Sequence, residues 1–220
     1  MSKYVVVDLE MCKVPKNMKP KDLKLNQETI QIGAVLLNEE LEIVDKFCTY
    51  VCPKIGLIDS FINNLTGIHK MDVRNAPDMQ TALNMFREWM PEQDVKMVAW
   101  SDNDERQIRK EILEKNIAIE NDDWLTEQWI DCQKIFGEKM HSTRCYSLAE
   151  ALIAADIMAE GREHDGLADA YNTALLFKKM QREDELQLNA IYESAIAEEE
   201  THLGFDLESL LKGLEIGSCA

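Results

Sequence analysis

Two acidic side chains, one residue apart, close a short apolar run near the N-terminus. The run reads "VVVDLEMC", and it places Asp8 and Glu10 directly after three valines. Side chains alternate between the two faces of a β-strand, so these carboxylates point the same way. Two like charges resist burial together unless a cation lies between them. Taken alone, the pair is more typical of a strand end that runs into solvent, so a site would need further ligands.

Two later segments carry acids at points where a predicted helix begins. "SDNDERQI" follows an apolar run and places Asp104 at a helix start, with Asp102 as a competing acid. We favour Asp104, because it is followed by helix and by Ile108 four residues later. "EHDGLAD" places His164 just before the next predicted helix and Asp169 near its first turn. Each acid taken singly fits an N-terminal residue favoured by the helix dipole, and His164 alone fits an inert loop residue.

The combined set predicts a metal-dependent hydrolytic site. Four carboxylates supply only oxygen ligands, which suit a hard cation such as Mg²⁺ or Mn²⁺. Two such ions about 4 Å apart can activate water and stabilise the leaving oxygen in phosphodiester cleavage. A histidine that is not a ligand suits the proton acceptor for that water. The predicted metal ligands are Asp8, Glu10, Asp104 and Asp169, and the predicted catalytic base is His164.

The segments between these motifs predict the elements that must position them. Short apolar and β-branched runs predict strands at 4–9, 29–37, 41–52, 96–100 and within 124–132, the second and third forming a hairpin. Helical spacing predicts helices at 77–90, 104–115, 147–156 and 167–182, and "LTGI" at 65–68 predicts a turn. A hairpin followed by strand–helix units indicates an α/β fold, with a mixed sheet and helices on its faces.

The ordered motifs resemble those of the DEDDh 3′–5′ exonucleases, the RNase T and DNA polymerase III proofreading superfamily. "DLE", the acid of "SDNDERQI" and the His-x4-Asp of "HDGLAD" match its signature, and "IQIGAV" and "LTGI" look similar to two further family segments. The branch that looks closest contains the histone-mRNA and interfering-RNA 3′ exonucleases and the KapD-like proteins. The resemblance implies a ribonuclease-H-like fold with a five-stranded mixed sheet. It also implies two-metal hydrolysis at single-stranded RNA or DNA 3′ ends, releasing nucleoside 5′-monophosphates.

Substrate contacts are predicted beside the first acidic motif. The resemblance implies that Leu9 and Met11 touch the terminal base, although Met11 stands where many family members carry threonine. The loop that follows carries five lysines and a single acid. It is either a solvated loop or, as we expect for Lys13 and Lys16, a contact to substrate phosphates.

Composition limits the class of protein and its partners. The 220-residue chain carries a net charge of −17, which argues against a protein that coats nucleic acid electrostatically. Its six scattered cysteines lack a second Cys or His pair at zinc-site spacing, so a structural zinc is not expected. No apolar run reaches the roughly 18 residues of a membrane span, and no signal peptide is recognisable. We therefore expect a cytoplasmic protein without membrane contact.

The expected organisation is an exonuclease domain over residues 1–183 and an acidic helical extension over 184–220 that is not an independent domain. Two alternative functions stay open. One is a regulatory or binding module on the same fold, acting through a protein partner that the acidic C-terminal region contacts. The other is a general acidic metal-binding protein, which would explain the carboxylates but not His164. The choice between RNA and DNA and the oligomeric state are not predicted.

Overall fold

One mixed sheet of five strands forms the centre of the molecule, as predicted. A computed structural model describes residues 2–92, 94–119, 122–190 and 192. The strands are β1 (Lys3–Lys13), β2 (Gln27–Leu37), β3 (Ile43–Tyr50), β4 (Val95–Ala99) and β5 (Ile130–Asp131). They are arranged in the order β3-β2-β1-β4-β5. The hairpin pairs β1, β2 and β3 antiparallel, whereas β4 lies parallel to β1 and β5 parallel to β4.

Helices cover both faces of this sheet. In the part of the chain that the structure describes they are α1 (Ser60–Thr66), α2 (Lys70–Val73), α3 (Met79–Trp89), α4 (Asn103–Lys115), α5 (Cys132–Lys139), α6 (Leu148–Ala154) and α7 (Gly166–Arg182). Helices α3, α4, α6 and α7 were predicted, whereas α1, α2 and α5 were not. None of these helices combines the length and apolar character needed to cross a membrane.

Strand β1 separates two hydrophobic cores. Val5 and Val7 belong to the core that β1 shares with α3 and α4, and Val6 belongs to the core formed with α5, α6 and α7. All three side chains are fully buried. Because side chains alternate along a strand, Asp8 and Glu10 continue on the Val6 side. The two acids therefore face the side of the sheet that α7 covers.

Strand β1 is longer than the predicted strand at 4–9. It pairs with β2 from Tyr4 to Lys13, and the register shifts between Glu10 and Met11. The acids therefore lie within a hydrogen-bonded ladder, not at a free strand end. Their backbone positions are fixed by the neighbouring strand.

Residues 65–68, predicted as a turn, are the end of α1 and its cap. The helix begins after Asp59, whose carboxylate accepts a hydrogen bond from the Ile62 N–H at 2.9 Å. It ends at Gly67, which has a φ of 77°. Seven residues are too few for apolar periodicity to stand out, so only the glycine was recognised.

The predicted helical extension begins differently from the prediction. Residues 184–189 are not helical, although the extension over 184–220 was expected to be helical. Leu186 and Leu188 instead pack against the core around α7, and the Asn189 N–H donates to the Ala154 carbonyl at 2.8 Å. These contacts hold the segment against the domain. Most of the predicted extension lies outside the described residues.

Candidate active site

A glycine in β2, which has no side chain, allows α7 to approach the acidic part of β1. Gly33 of β2 pairs with Asp8, and a Cβ atom on Gly33 would lie 2.1 Å from the carbonyl carbon of Gly166. The Gly166 N–H donates to Oε1 of the buried Gln31 at 3.0 Å. The first turn of α7, which carries Asp169, is thereby held against β1 and β2. The segment "IQIGAV" supplies both the glycine and the glutamine that do this.

Helix α4 brings its acid to the same strand from the other direction. Asp104 lies in its first turn and is 6% exposed, and its Oδ1 accepts a hydrogen bond from the Leu9 N–H at 3.2 Å. Since Leu9 stands between the two acids of β1, this bond fixes Asp104 beside them. The competing Asp102 is half-exposed and accepts a hydrogen bond from Arg106 Nη2 at 2.6 Å.

The loop before α7 adds the histidine. His164 has a φ of 61°, which few residues other than glycine adopt, and its N–H donates to Asp169 Oδ2 at 2.9 Å. Asp165 caps α7 by accepting two backbone hydrogen bonds of 3.1 Å from its first turn. Glu10, His164 and Asp169 each bring one potential ligand atom to within 4.8 Å of the others.

All the residues predicted to hold metal or to act as base line one cleft of about 540 Å³: Asp8, Glu10, Asp104, His164 and Asp169. Leu9, Met11 and Lys13, predicted to contact substrate, line the same cleft. Lys16 is exposed on the loop after β1, and among the described residues it is not part of the cleft lining. Of the two lysines predicted to contact substrate phosphates, only Lys13 therefore lines the cleft.

Burial and mutual repulsion raise the pKa of each predicted ligand. Burial, with the charges of Asp169 and Asp104, raises the pKa of Glu10 to about 8. Burial is also the main reason that the pKa of Asp104 rises to about 7 and that of Asp169 to about 6. For Asp8, burial followed by the charge of Asp104 raises the pKa well above its ordinary value. A cluster of oxygen ligands that resists ionisation in this way fits a hard divalent cation, which would balance the charge.

Comparison with known proteins identifies the family. The model of the exonuclease family of RNase T type matches residues 5–177. The chain belongs to the exonuclease family. It is 30% identical over 184 residues to ERI1 exoribonuclease 2 of Mus musculus, a match that covers 71% of this chain and 26% of that protein. The 3′–5′ exonuclease Snipper of Drosophila melanogaster is 27% identical over 206 residues, covering 84% of this chain and 71% of Snipper.

Solved structures support the same assignment. The nuclease domain of 3′hExo, a DEDDh family member bound to rAMP, superposes with a TM-score of 0.70 at 25% identity, covering 86% of this chain and 96% of that domain. The predicted ribonuclease-H-like fold and the predicted DEDDh family are thereby confirmed. The match to ERI1 exoribonuclease 2 spans only about a quarter of that protein's length.

In this exonuclease family member, one wall of the cleft was missed by the sequence interpretation. Phe61, Ile62 and Leu65 of α1 line the cleft, and the Phe61 side chain is 58% exposed. The Lys13 ammonium lies 5.2 Å from the centroid of the Phe61 ring. The capping carboxylate of Asp59, rather than apolar periodicity, is the signal that could have revealed this helix.

Further apolar lining comes from the end of β4 and from α6. Trp100, Leu148 and Leu152 line the same cleft as the acids. Trp100 also packs 6.2 Å from Phe136, measured between ring centroids, so it belongs both to the core and to the cleft wall. The exonuclease cleft thus combines an acidic end with an apolar surface that could accept bases.

Proposed function

We propose that this protein is a metal-dependent 3′–5′ exonuclease that removes nucleotides from single-stranded RNA or DNA ends. The observation that carries the proposal is the meeting of carboxylates from β1, α4 and α7 beside His164 in one cleft. Membership of the exonuclease family supports it, as does the relative named 3′–5′ exonuclease Snipper. ERI1 exoribonuclease 2 and the rAMP-bound nuclease domain of 3′hExo support RNA among the substrates.

The carboxylates are suited to holding two divalent cations, Mg²⁺ or Mn²⁺. Asp8, Glu10, Asp104 and Asp169 offer hard oxygen ligands, and their raised pKa values show how poorly the cleft tolerates their negative charge alone. When bound, such ions polarise the scissile phosphate and stabilise charge on the leaving oxygen. The backbone bonds to Asp104 and Asp169 keep these ligands pre-oriented, which limits the reorganisation that binding requires.

His164 is suited to accepting the proton of the attacking water. Its side chain is 45% exposed and lies at the rim of the cleft, so water can reach the imidazole. The water oxygen forms a bond to phosphorus while the bond from phosphorus to the 3′ oxygen of the preceding nucleotide breaks. The water proton passes to the imidazole, and the leaving 3′ oxygen takes up a proton. The products are a nucleoside 5′-monophosphate and a strand one nucleotide shorter.

The apolar part of the cleft is suited to the terminal base. Leu9 and Met11 lie next to the acids on β1, and α1 adds Phe61 beside the Lys13 ammonium. Aromatic and aliphatic side chains can pack against any base, whereas a lysine pairs with the phosphate next to that base. This arrangement supports binding of a single strand without strong sequence preference.

The direct test is degradation of 5′-labelled single-stranded RNA and its DNA equivalent by the purified chain, with Mg²⁺, Mn²⁺ or EDTA. We expect a ladder of labelled products shortened from the 3′ end, lost in EDTA and in Asp8→Asn. An otherwise identical oligonucleotide with a blocked 3′ end should resist. Intact substrates under all conditions, together with retained Mn²⁺ binding, would replace the proposal by the binding-module alternative.

Replacing the predicted base separates catalysis from metal binding. His164→Ala should lower the rate on the order of 10²-fold or more while leaving Mn²⁺ affinity largely unchanged, because a general base contributes to proton transfer and not to coordination. Calorimetric titration with Mn²⁺ and single-turnover kinetics measure the two effects. A loss of metal affinity comparable to that of Asp8→Asn would instead make His164 a ligand.

A further inference from the structure

The loop that carries His164 has a backbone conformation that its own sequence does not stabilise. His164 has a φ of 61° and Gly161 a φ of 77°. Positive φ at a residue other than glycine is unfavourable and persists where surrounding contacts determine it. Besides the bond from the His164 N–H to Asp169, the structure shows two anchors before His164, at Glu160 and at Arg162.

Asn172 of α7 provides the first anchor. Its side chain is 3% exposed, and it makes a two-way clamp with one backbone position of the loop. Asn172 Oδ1 accepts a hydrogen bond from the Glu160 N–H at 2.9 Å, and Asn172 Nδ2 donates to the Glu160 carbonyl at 2.9 Å. The side-chain amide of Asn172 thus satisfies both backbone groups of Glu160 and fixes the beginning of the loop to α7.

Arg162 provides the second anchor, across to α1. Its Nη2 donates to the carbonyl oxygens of Asn64 and Leu65, at 2.7 and 3.2 Å. These carbonyls belong to the last turn of α1, where carbonyl groups lack partners within the helix. A Cβ atom on Gly67 would lie 2.0 Å from Arg162 Nη1, so the glycine leaves the space that the guanidinium occupies. Gly67 therefore serves both the helix cap and the arginine contact.

We propose that Arg162 is a positioning residue for His164, which it acts on by tying the histidine loop to α1. This inference rests on the proposed exonuclease function, in which α1 is a wall of the cleft and His164 is the base. Among the described residues that line the cleft, His164, Glu163 and Gly161 are present but Arg162 is not. The guanidinium donates to α1 carbonyls, and its charge also partly offsets the rise in the pKa of Glu10. Its contribution should pass through the placement of the imidazole relative to the substrate wall.

The kinetic test compares Arg162→Ala and Arg162→Lys with Arg74→Ala, an exposed arginine outside the cleft lining. Arg162→Ala should lower kcat on the order of 10- to 100-fold, as expected for a misplaced catalytic group, with KM changed less than about twofold. Arg162→Lys should recover part of kcat, because an ammonium can donate to these carbonyls without the planar fork. Arg74→Ala should match the unmodified protein. A higher KM with kcat retained would overturn the inference in favour of direct substrate contact.

A double-mutant cycle shows whether Arg162 acts through His164. In a His164→Ala background, Arg162→Ala should cause little further loss, because there is no imidazole left to place. Full additivity of the two losses would overturn the inference. Thermal unfolding of each variant establishes that the chain still folds.

An activity-independent measurement separates this inference from the proposed function. Hydrogen exchange of the metal-free protein should be faster in Arg162→Ala for peptides covering residues 157–165 and the end of α1, and unchanged in Arg74→Ala. Faster exchange supports the anchor even if the unmodified protein proves inactive, in which case the proposed function fails by itself. Unchanged exchange in both segments would overturn the anchor whatever the activity.

Discussion

At the scale of single residues, the cleft gathers four carboxylates, two of which are buried. Glu10 is 7% exposed and Asp104 is 6% exposed, and both carboxylates share the cleft with Asp8 and Asp169. Burial of like charges is unfavourable unless a cation compensates or some groups stay protonated. In the absence of metal, the raised pKa values mean that some of these carboxyl groups stay protonated. The proposed function requires instead that a cation compensate their charge.

Substitutions of the neighbouring acids Asp104 and Asp102 test which of the two is a metal ligand. Asp104→Asn should weaken Mn²⁺ binding on the order of 10²-fold, because it removes the negative charge and one of the two carboxylate oxygens. Asp102→Asn should leave the affinity unchanged within about twofold, since Asp102 pairs with Arg106 at the surface. Calorimetric titration of both variants measures the difference. Equal losses, or a larger loss for Asp102→Asn, would reverse the ligand assignment.

Metal-free stability should depend on pH through Glu10. Its pKa is about 8 in the folded protein, against an ordinary value of 4.5, so the folded state binds this proton more tightly than the unfolded chain does. The resulting stability is fully present below the unfolded pKa and is lost as pH rises toward 8. Glutamine carries no charge at any pH, so Glu10→Gln should become progressively more stable than the unmodified protein as pH rises through this window.

Thermal unfolding in EDTA between pH 5 and 8.5 measures this effect. The Tm of Glu10→Gln minus that of the unmodified protein should grow by several degrees, corresponding to a few kcal/mol at most. Glu39→Gln, at an exposed hairpin position, should show a flat difference. A difference for Glu10→Gln that stays flat or shrinks with pH would mean that this carboxyl is not destabilised by burial.

At the scale of elements, a buried ionic network fixes α4 relative to β2. Lys115 Nζ lies 2.8 Å from Glu28 Oε1 and also pairs with Glu111, and the three side chains are at most 8% exposed. Glu111 Oε1 accepts a hydrogen bond from the Thr29 N–H at 2.7 Å. Because Asp104 lies in the first turn of α4, the orientation of this helix sets the position of a predicted metal ligand.

The same network reaches the segment that leads into α1. Glu28 Oε2 accepts backbone hydrogen bonds from Ile55 at 2.7 Å and Gly56 at 2.5 Å. Burial opposes ionisation of Glu28, but the hydrogen bonds from Lys115 and from these amides outweigh it and leave the pKa of Glu28 below its ordinary value. The network therefore joins the helix that carries Asp104 to the segment before the cleft wall.

Removing the Lys115 ammonium from this network should lower the stability of the fold. Lys115→Met leaves Glu28 and Glu111 buried without a counter-charge, so the free energy of unfolding should fall by about 3–5 kcal/mol. Lys178→Met breaks only the contact to the exposed Glu42 and should change it by at most about 1 kcal/mol. Urea denaturation at neutral pH compares the two. Similar small losses would show that water reaches the Lys115 site.

At the scale of the whole molecule, the proposed function requires a chain of net charge −17 to attract a polyanion locally. Among the described residues that line the cleft, Lys13 is the lysine available for this purpose, and its ammonium lies over the Phe61 ring. Lys16 is exposed further along the loop, and Lys19 donates to Asn26 Oδ1 at 2.9 Å. The positive charge of Lys13 beside the proposed metal site would then attract the substrate phosphates, which the net negative charge of the chain repels.

Lys13→Ser should raise the KM for oligonucleotides while leaving kcat within about twofold. Loss of one phosphate contact should reduce the slope of log KM against log salt concentration by about 0.7, the value for single strands. Lys70→Ser, at an exposed position outside the cleft lining, serves as the control and should change neither quantity. An unchanged salt slope in Lys13→Ser would remove Lys13 from the substrate contacts.

The sequence by itself determined the class of fold and the ordered acidic motifs. Three valines before Asp8 indicate a buried strand, and apolar spacing after Asp104 and Asp169 indicates two helices. These signals are local, because the alternation of a strand and the turn of a helix are set by neighbouring residues. The resemblance of the ordered motifs to the DEDDh exonucleases was sufficient to predict the family.

Only the tertiary structure decided how those segments meet. The contact between Gly33 and Gly166 and the bond from Leu9 to Asp104 join residues more than 90 positions apart, and no local pattern encodes such pairings. Helix α1 was invisible to periodicity because it is short, and Arg162 became informative only when its partner carbonyls were found on that helix. Local interactions specify the elements, whereas side-chain packing and long-range hydrogen bonds set the geometry on which chemistry depends.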